Sequence, residues 1–458
     1  MPSLGSILSI ASSALRTQHE AINVTAHNIS NASTEGYTRQ RPVISQLPPL
    51  HTPSGIFGTG VHTADVQRVR DSYLDLAFRR EVGDFKDAET RSGILGQVES
   101  LLAEPGESGL SSALDEFFNA WSFLASNPDN SSAREGVRSQ ARILVERMGS
   151  LAAGLDQVRQ DAEASLSSTV NRVNELAEEV ARVNREVTSA EAGGNTAGDL
   201  RDMRDRAIDE LATLIPVQVM ERENGSVGIL TSGLSLVDGI HFGALEVRTS
   251  GGEVSLGIEG HATDLTELGG STGGVIRALN TDLPAVRSEL DDLAEALVTE
   301  INTLHATGTN PDGVTGIDFF DPAGLQAATL DLSAEVKASS DAISAGTGDA
   351  SGDYRAGAND VALALAGLRD SDSASLGTPY GEHFRELVAD VGFSLRTSLE
   401  EVEIHEALSG QAGMRRESLS GVSTDEELVR LIEFQTAFSA AARVVTVADE
   451  MLETLVRM

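Results

Sequence analysis

Both ends of this chain carry apolar residues at seven-residue spacing, and that placement constrains the fold more than any other feature. Near the start, Leu8, Leu15, Ile22 and Ile29 hold one heptad position while Leu4, Ala11, Gln18 and Thr25 hold the other. Near the end, Leu428, Gln435 and Ala442 share one position and Leu431, Phe438, Val445 and Leu452 the other, running on to Leu455. Each pattern predicts a helix with one sticky stripe that has to be buried. Two such helices at opposite ends of a chain can bury each other only where the ends meet, which makes the termini the base of the molecule. Periodicity alone is equally compatible with ordinary core helices of a globular bundle.

The helix ends are signalled locally. After Ile29 the run Ser30-Asn31-Ala32-Ser33-Thr34-Glu35-Gly36-Tyr37 supplies residues that compete with helical hydrogen bonding and a glycine for a left-handed cap. The last helix is expected to start at Ser423-Thr424-Asp425-Glu426-Glu427, a hydroxyl cap followed by acidic residues that complement the helix dipole.

Between the ends, Pro42, Pro48, Pro49 and Pro53 with Gly55, Gly58 and Gly60 mark an extended connector, with a short strand or hairpin arm over 61–69. Helical spacing follows over 72–97, 110–125 and from Ser132 onward, and a long helix is predicted over 154–192, closed by Gly193-Gly194. After a further helix at 200–215, short Val, Ile and Leu runs are broken by Asn224-Gly225, Gly239 and Gly251-Gly252, the signature of strands and turns. Helical spacing returns at Val286, Leu290, Leu293, Leu297, Ile301 and Leu304, so the β-rich segment is inserted between helices. The expected fold is α+β and multidomain. A terminal coiled-coil domain comprises 1–40 and 420–458; a mainly helical domain with its connector comprises 41–215, 272–307 and 359–419; an inserted β-rich outer domain comprises 216–271 and 308–358.

Composition narrows the function. With 458 residues the chain is long enough for several cores, and its 40% hydrophobic content suits a folded protein. A formal net charge of -36 opposes binding to nucleic acid or anionic lipid. The absence of cysteine excludes disulfides, thiolate catalysis and cysteine-bound zinc. No cleavable signal is expected, since no basic residue precedes Arg16, and no apolar run is long enough for a membrane span.

Candidate chemistry is sparse. His19-Glu20 opens like a zincin motif, but Asn23 stands where the second histidine belongs. The loop from Asn310 to Asp318 fails as a calcium loop, because Gly308 and Phe319 occupy its first and last ligand positions. Gly58-Thr59-Gly60 lacks the third glycine of a dinucleotide loop, and His305 is expected to cap carbonyls at a helix end. No catalytic, cofactor or metal residue is assigned, and no enzyme activity is expected.

Residues at both ends carry a resemblance. Ala26-His27-Asn28-Ile29-Ser30-Asn31-Ala32-Ser33-Thr34-Glu35-Gly36-Tyr37 resembles the Asn-rich helix end of bacterial flagellar axial proteins, the rod, hook and hook-associated proteins. The C-terminal run from Ser420 to Glu427, with Phe434-Gln435, Ala437-Phe438, Ala441-Ala442-Arg443-Val444 and Asp449-Glu450-Met451-Leu452, is similar to the hook-associated branch at the hook–filament junction. Phe117-Phe118 with Trp121, Asn127-Pro128, Arg201 to Arg206 before a helix, Leu236-Val237-Asp238-Gly239, and Asn302 to His305 ahead of Asp318-Phe319-Phe320 agree. His27 and Glu35 depart from the family's usual Asn and Pro, and the region after 310 is short.

The resemblance implies a structural adapter, a ring of subunits on the distal hook with terminal helices inside and middle domains outside. It further implies flagellar type III export, a chaperone on the C-terminal helix, and hook protein and hook-associated protein 3 as neighbours. The rivals are another axial subunit of rod or hook, and a secreted adhesin. The candidate assembly interface is the apolar stripe: Leu4, Leu8, Leu15, Ile22 and Ile29 at one end, Leu428, Leu431, Phe438, Val445, Leu452 and Leu455 at the other.

Burying one Leu or Ile contributes about 1.5–3 kcal/mol, whereas ordering one residue's backbone costs about 1–2 kcal/mol, so an isolated helix pair diluted with Ala, Gln and Thr is marginal. The termini are therefore expected to be frayed in the monomer and to order on assembly. Hydrogen exchange on dilute monomer checks this: rapid exchange of the terminal amides is expected, and full protection there refutes it.

Overall fold

The computed structural model describes residues 4–52, 55–102, 109–194, 196–266 and 269–457. The first helix, α1 (Leu4–Ser30), runs into a connector made of two antiparallel pairs: β1 (Gln40–Gln46) with β4 (Val61–Arg68), and between them β2 (Leu50–Thr52) with β3 (Gly55–Phe57). Helices α2 (Ser72–Leu102), α3 (Leu110–Ser126), α4 (Ser131–Glu191) and α5 (Gly198–Leu214) follow.

The inserted strands come next. They are β5 (Gln218–Glu221), β6 (Val227–Thr231), β7 (Leu234–Asp238) and β8 (His241–Phe242) in one antiparallel sheet in chain order, and the hairpin β9 (Leu245–Ser250) with β10 (Glu253–Ile258). Helix α6 (Gly270–Arg277) then passes through a π-helical turn at Ala278–Asp282 into α7 (Leu283–His305). After two short helices, α8 (Ala334–Ala338) and α9 (Asp360–Gly367), the chain closes with α10 (Tyr380–Ser420) and α11 (Thr424–Arg457).

The ends meet: α1 packs along α11. Above them α2, α4, α5, α6, α7 and α10 form the bundle, α2 and α10 lying side by side and α3 resting on α4. Gly274 lets α6 press against α2, because a Cβ there would stand 2.3 Å from the Asp87 carbonyl oxygen. The long helix α4 has 61 residues, about 90 Å at 1.5 Å per residue. Its start is capped by Asn130, whose side chain accepts from the Ser132 N–H at 2.8 Å.

One device recurs at several contacts between a helix and a non-helical segment. An asparagine on the helix exchanges two hydrogen bonds with the backbone of one residue, as a neighbouring strand would. Asn174 takes the Leu245 N–H at 2.7 Å and donates to its carbonyl at 3.0 Å, fixing β9 on α4. Asn184 does the same to Val227 of β6 at 3.0 and 2.9 Å, and Asn280 in the π-helical turn to Val254 of β10 at 2.9 and 2.8 Å. Asn302 on α7 holds Phe320 at 2.8 and 3.0 Å. The inserted strands are thereby attached to the bundle through polar pairs as well as through Leu236, Val237, Leu256 and Ile258 in the shared core.

Three expectations need correction. The segments read as separate helices from Ser132 and at 154–192 are one helix, because Gly154 does not interrupt it; a Cβ there would stand 2.3 Å from a Leu101 methyl, so the glycine serves close packing. Arg201 to Arg206 lie on α5 and not before it. Residues 308–358 were grouped with the β-rich insertion, but the described residues there form isolated bridges and short helical turns against the bundle. Phe319 and Phe320 are fully buried beside Phe117 and Trp121 of α3, and Arg134 of α4 donates to the Ile343 carbonyl at 3.1 Å. Two adjacent phenylalanines need a deep aromatic pocket, and the helical core provides one.

Candidate functional site

The stripe residues sit on two helices that pack together, but the most buried line on α1 is a neighbouring one: Ala11, Thr17, Ala21, Thr25 and Asn28. That line meets the connector as well as α11, Thr17 lying against the Val61 carbonyl of β4 and Asn28 against Gln40 of β1. Leu4, Leu8, Leu15, Ile22 and Ile29 are half-buried beside that line. On α11, Leu431, Phe438, Val445 and Leu452 are half-buried, while Leu428 is exposed together with Val429, Ile432, Val444, Val447 and Met451. The side chain of Leu455 lies outside the described residues. A pair of helices has only one mutual face, so the rest of a wide apolar surface stays open to water.

Beneath the pair, both chain passages are tied in one polar cluster. Asn28, at the end of α1, holds the Gln40 N–H at 3.0 Å and its carbonyl at 2.8 Å, and also donates to Glu427 at 2.9 Å. The Glu427 carboxylate, 1% exposed, accepts a second bond from Arg39 at 2.8 Å. Tyr37 donates its hydroxyl to Asn28 at 2.8 Å, and burial followed by Asp199, Asp202 and Glu427 pushes its phenol pKa up, so it stays a donor. The Arg39 N–H donates to the Ser420 carbonyl at 2.9 Å, joining the outgoing and returning chains directly. Between them Gly421, Val422 and Ser423 break the helix, and Ser423 caps α11 as expected, accepting from Glu426.

A second cluster joins this base to the bundle. Thr38 donates its N–H to Asp202 at 2.9 Å; Arg68, at the end of β4, binds Asp202 and Asp205, both at 2.7 Å. Arg70 reaches Asp75 of α2 and Asp205 of α5, Arg79 reaches Asp209 at 2.6 Å, and Arg416 of α10 reaches the other Asp209 oxygen at 2.7 Å. Four arginines and four aspartates thus meet where connector, α2, α5 and α10 converge. Arg416 also lies over the Phe78 ring at 3.8 Å. Burial alone would raise Asp205, but the Arg70, Arg68, Arg204 and Arg79 guanidiniums hold it below the usual carboxylate range.

The residues considered for chemistry are otherwise engaged. His19 is on the exposed face of α1 with Asn23 3.1 Å away. His305 is fully buried, donates to the Ile317 carbonyl at 2.7 Å and accepts the Ser344 N–H at 3.0 Å; burial pushes its pKa down to about 4, so it stays neutral. It serves one loop carbonyl and one loop N–H rather than the carbonyls of its own helix. Asn310 closes a turn on the Val314 N–H at 2.7 Å. Gly60 approaches α1 so closely that a Cβ would meet Ser13 at 2.1 Å.

Sequence reading singled out the apolar stripes and missed Glu427 and the aspartates of α5. The available signal was the spacing of Asp202, Asp205 and Asp209, which puts three carboxylates on one face of a helix.

Replacing Glu427 with Ala leaves Asn28 and Arg39 without a buried partner, and hydrogen bonds to a charged group contribute about 1.5–3 kcal/mol. Amides at 38–41 and 424–430 are expected to exchange roughly tenfold faster or more, measured by hydrogen exchange; unchanged protection contradicts the assignment. Asp205 gives a pH dependence. A carboxylate whose folded pKa is lowered contributes stability in full above its unfolded value of about 3.9 and loses it as pH falls through the folded value. Urea midpoints of the bundle are expected to hold from neutrality to about pH 5 and to drop below about pH 4, with Asp205→Asn flattening that drop.

Comparison with known proteins agrees with this architecture. Residues 95–320 match the family described as flagellar hook-associated protein FlgK helical domain, residues 417–458 match flagellar basal body rod FlgEFG protein C-terminal, and residues 8–38 match flagella basal body rod protein. Flagellar hook-associated protein 1 of Bacillus subtilis is 28% identical over 98% of this chain and 97% of its own length. Its Salmonella typhimurium namesake is 27% identical over 52% of this chain and 43% of its own. Among solved structures, the flagellar hook junction protein FlgK from Burkholderia pseudomallei superposes with a TM-score of 0.66 at 15% identity, covering 75% of this chain and all of that one. Over nearly its whole length the chain is similar to flagellar hook-associated protein 1, and its middle residues match the helical domain of that family.

Proposed function

We propose that the protein is a structural adapter of the bacterial flagellum, assembling as a ring on the distal hook at the hook–filament junction and allowing the filament to grow. The observation that carries this reading is the terminal helix pair, which leaves Leu428, Val429, Ile432, Val444, Val447 and Met451 exposed at the base of an otherwise well-buried bundle. Copies of this chain would cover that surface, and Leu4, Leu8, Leu15, Ile22, Ile29, Leu431, Phe438, Val445, Leu452 and Leu455 would complete the contact. The division of labour follows from the fold: a helical base for axial packing, and a bundle with inserted strands facing outward.

In this reading the neighbours are hook protein and hook-associated protein 3, an export chaperone covers the C-terminal helix before assembly, and the flagellar type III apparatus delivers the chain. The role is mechanical and assigns no catalysis. Domain limits follow as 1–40 with 420–458 for the axial base, with 216–271 as the outer insertion.

The test is electron microscopy and motility of cells lacking the gene, complemented by the full chain or by a chain ending before residue 424. Intact hooks without filaments, restored only by the full chain, are expected. Normal filaments in the deletion strain overturn the junction role.

A further inference from the structure

We propose that α2 and α10 share a binding site for one divalent transition-metal ion of the zinc class, formed by Glu81, Asp84 and His405. This goes beyond the adapter reading and concerns the bundle, away from the terminal helices. Glu81 and Asp84 are three residues apart on α2 and so point the same way, and His405 faces them from the adjacent α10. One ligand atom from each lies within 4.8 Å of the other two.

Two further observations give the cluster a ligand-binding character. Glu81 Oε2 and His405 Nδ1 are both closed off from solvent and neither has a hydrogen-bond partner, so each carries an unmet polar requirement at the same spot. Their separation is 3.5 Å. That is long for a charge-assisted hydrogen bond, which closes to about 2.7–2.9 Å. It matches two ligands of one tetrahedral ion, whose bonds of about 2.0–2.1 Å place neighbouring ligand atoms about 3.4 Å apart.

The ligand types narrow the ion. An imidazole beside two carboxylates favours zinc or cobalt over calcium or magnesium, which prefer an all-oxygen shell. All three residues are half-buried, so an ion can reach them from solvent, from which water would supply the fourth ligand. Arg80, 78% exposed and 3.9 Å from Asp84, is free to swing into solvent when a cation arrives. Neutralising two carboxylates in a chain of net charge -36 also relieves self-repulsion. The bound ion would pin together helices that lie more than three hundred positions apart in sequence, a spacing no local motif could reveal.

The test uses the full chain, stripped with chelator and titrated with zinc by calorimetry and thermal unfolding. One site per chain is expected, with a melting temperature that rises by a few degrees once zinc exceeds the dissociation constant about a hundredfold. His405→Ala and Glu81→Gln are expected to weaken binding at least tenfold, while His19→Ala leaves it unchanged. Cobalt titrated into the unaltered chain provides a readout that needs no variant: the intense visible absorption of tetrahedral cobalt is expected. The proposal is overturned by absence of stoichiometric binding, by equal zinc affinity in His405→Ala and the unaltered chain, or by a weak octahedral cobalt spectrum.

Discussion

A carboxamide on a helix that imitates a neighbouring strand is the interaction on which the architecture depends. Helices satisfy their own backbone, whereas strands and turns arrive at a helix with unpaired N–H and C=O groups that cost free energy if buried. Asn28, Asn174, Asn184, Asn280 and Asn302 each present one acceptor and one donor at the right separation and fix a single residue of the incoming segment. The pairing sets register as well as position, because a slip by one residue would turn the backbone groups away. In this way a bundle can carry a connector, an inserted sheet and a long loop without losing a common core.

Charge is handled by concentration rather than by spreading. The chain is strongly acidic, yet its interior junction has as many guanidiniums as carboxylates. Buried pairs of this kind add little net stability compared with apolar packing, but breaking one partner leaves a costly lone charge. Their value is directional: planar guanidiniums hold connector, α2, α5 and α10 at fixed angles. The remaining acidic excess faces outward, where self-repulsion favours solubility.

The terminal helices, the cap at Ser423, and the strand-and-turn insertion were legible because periodicity and turn chemistry are local. Which stripe face is most buried was not, since Ala11, Ala21 and Thr25 look weaker than Leu15 and Ile22 until the connector strands fold back on the helix. The polar cluster around Glu427 joins residues almost four hundred positions apart, so no window of sequence contains it. Residues 308–358 misled because Gly, Ser and Asp signal turns without saying what the turns pack on, although Phe319, Phe320, Leu332, Val336 and Ile343 are all buried. The family resemblance at the chain ends was readable from the same residues that build the joint, Asn28 and Tyr37 among them.

The crossing of the two chain passages has a mechanical consequence. Residues 39–40 leave the helical base and residues 420–423 return to it side by side, bonded to each other through Arg39 and Ser420. A single flexible tether would let the base twist freely under torque. Two covalent tethers, one an extended strand and one a broken helix, resist torsion. The joint is therefore braced against rotation by two strands of chain that are bonded to each other, where one alone would leave it free to turn.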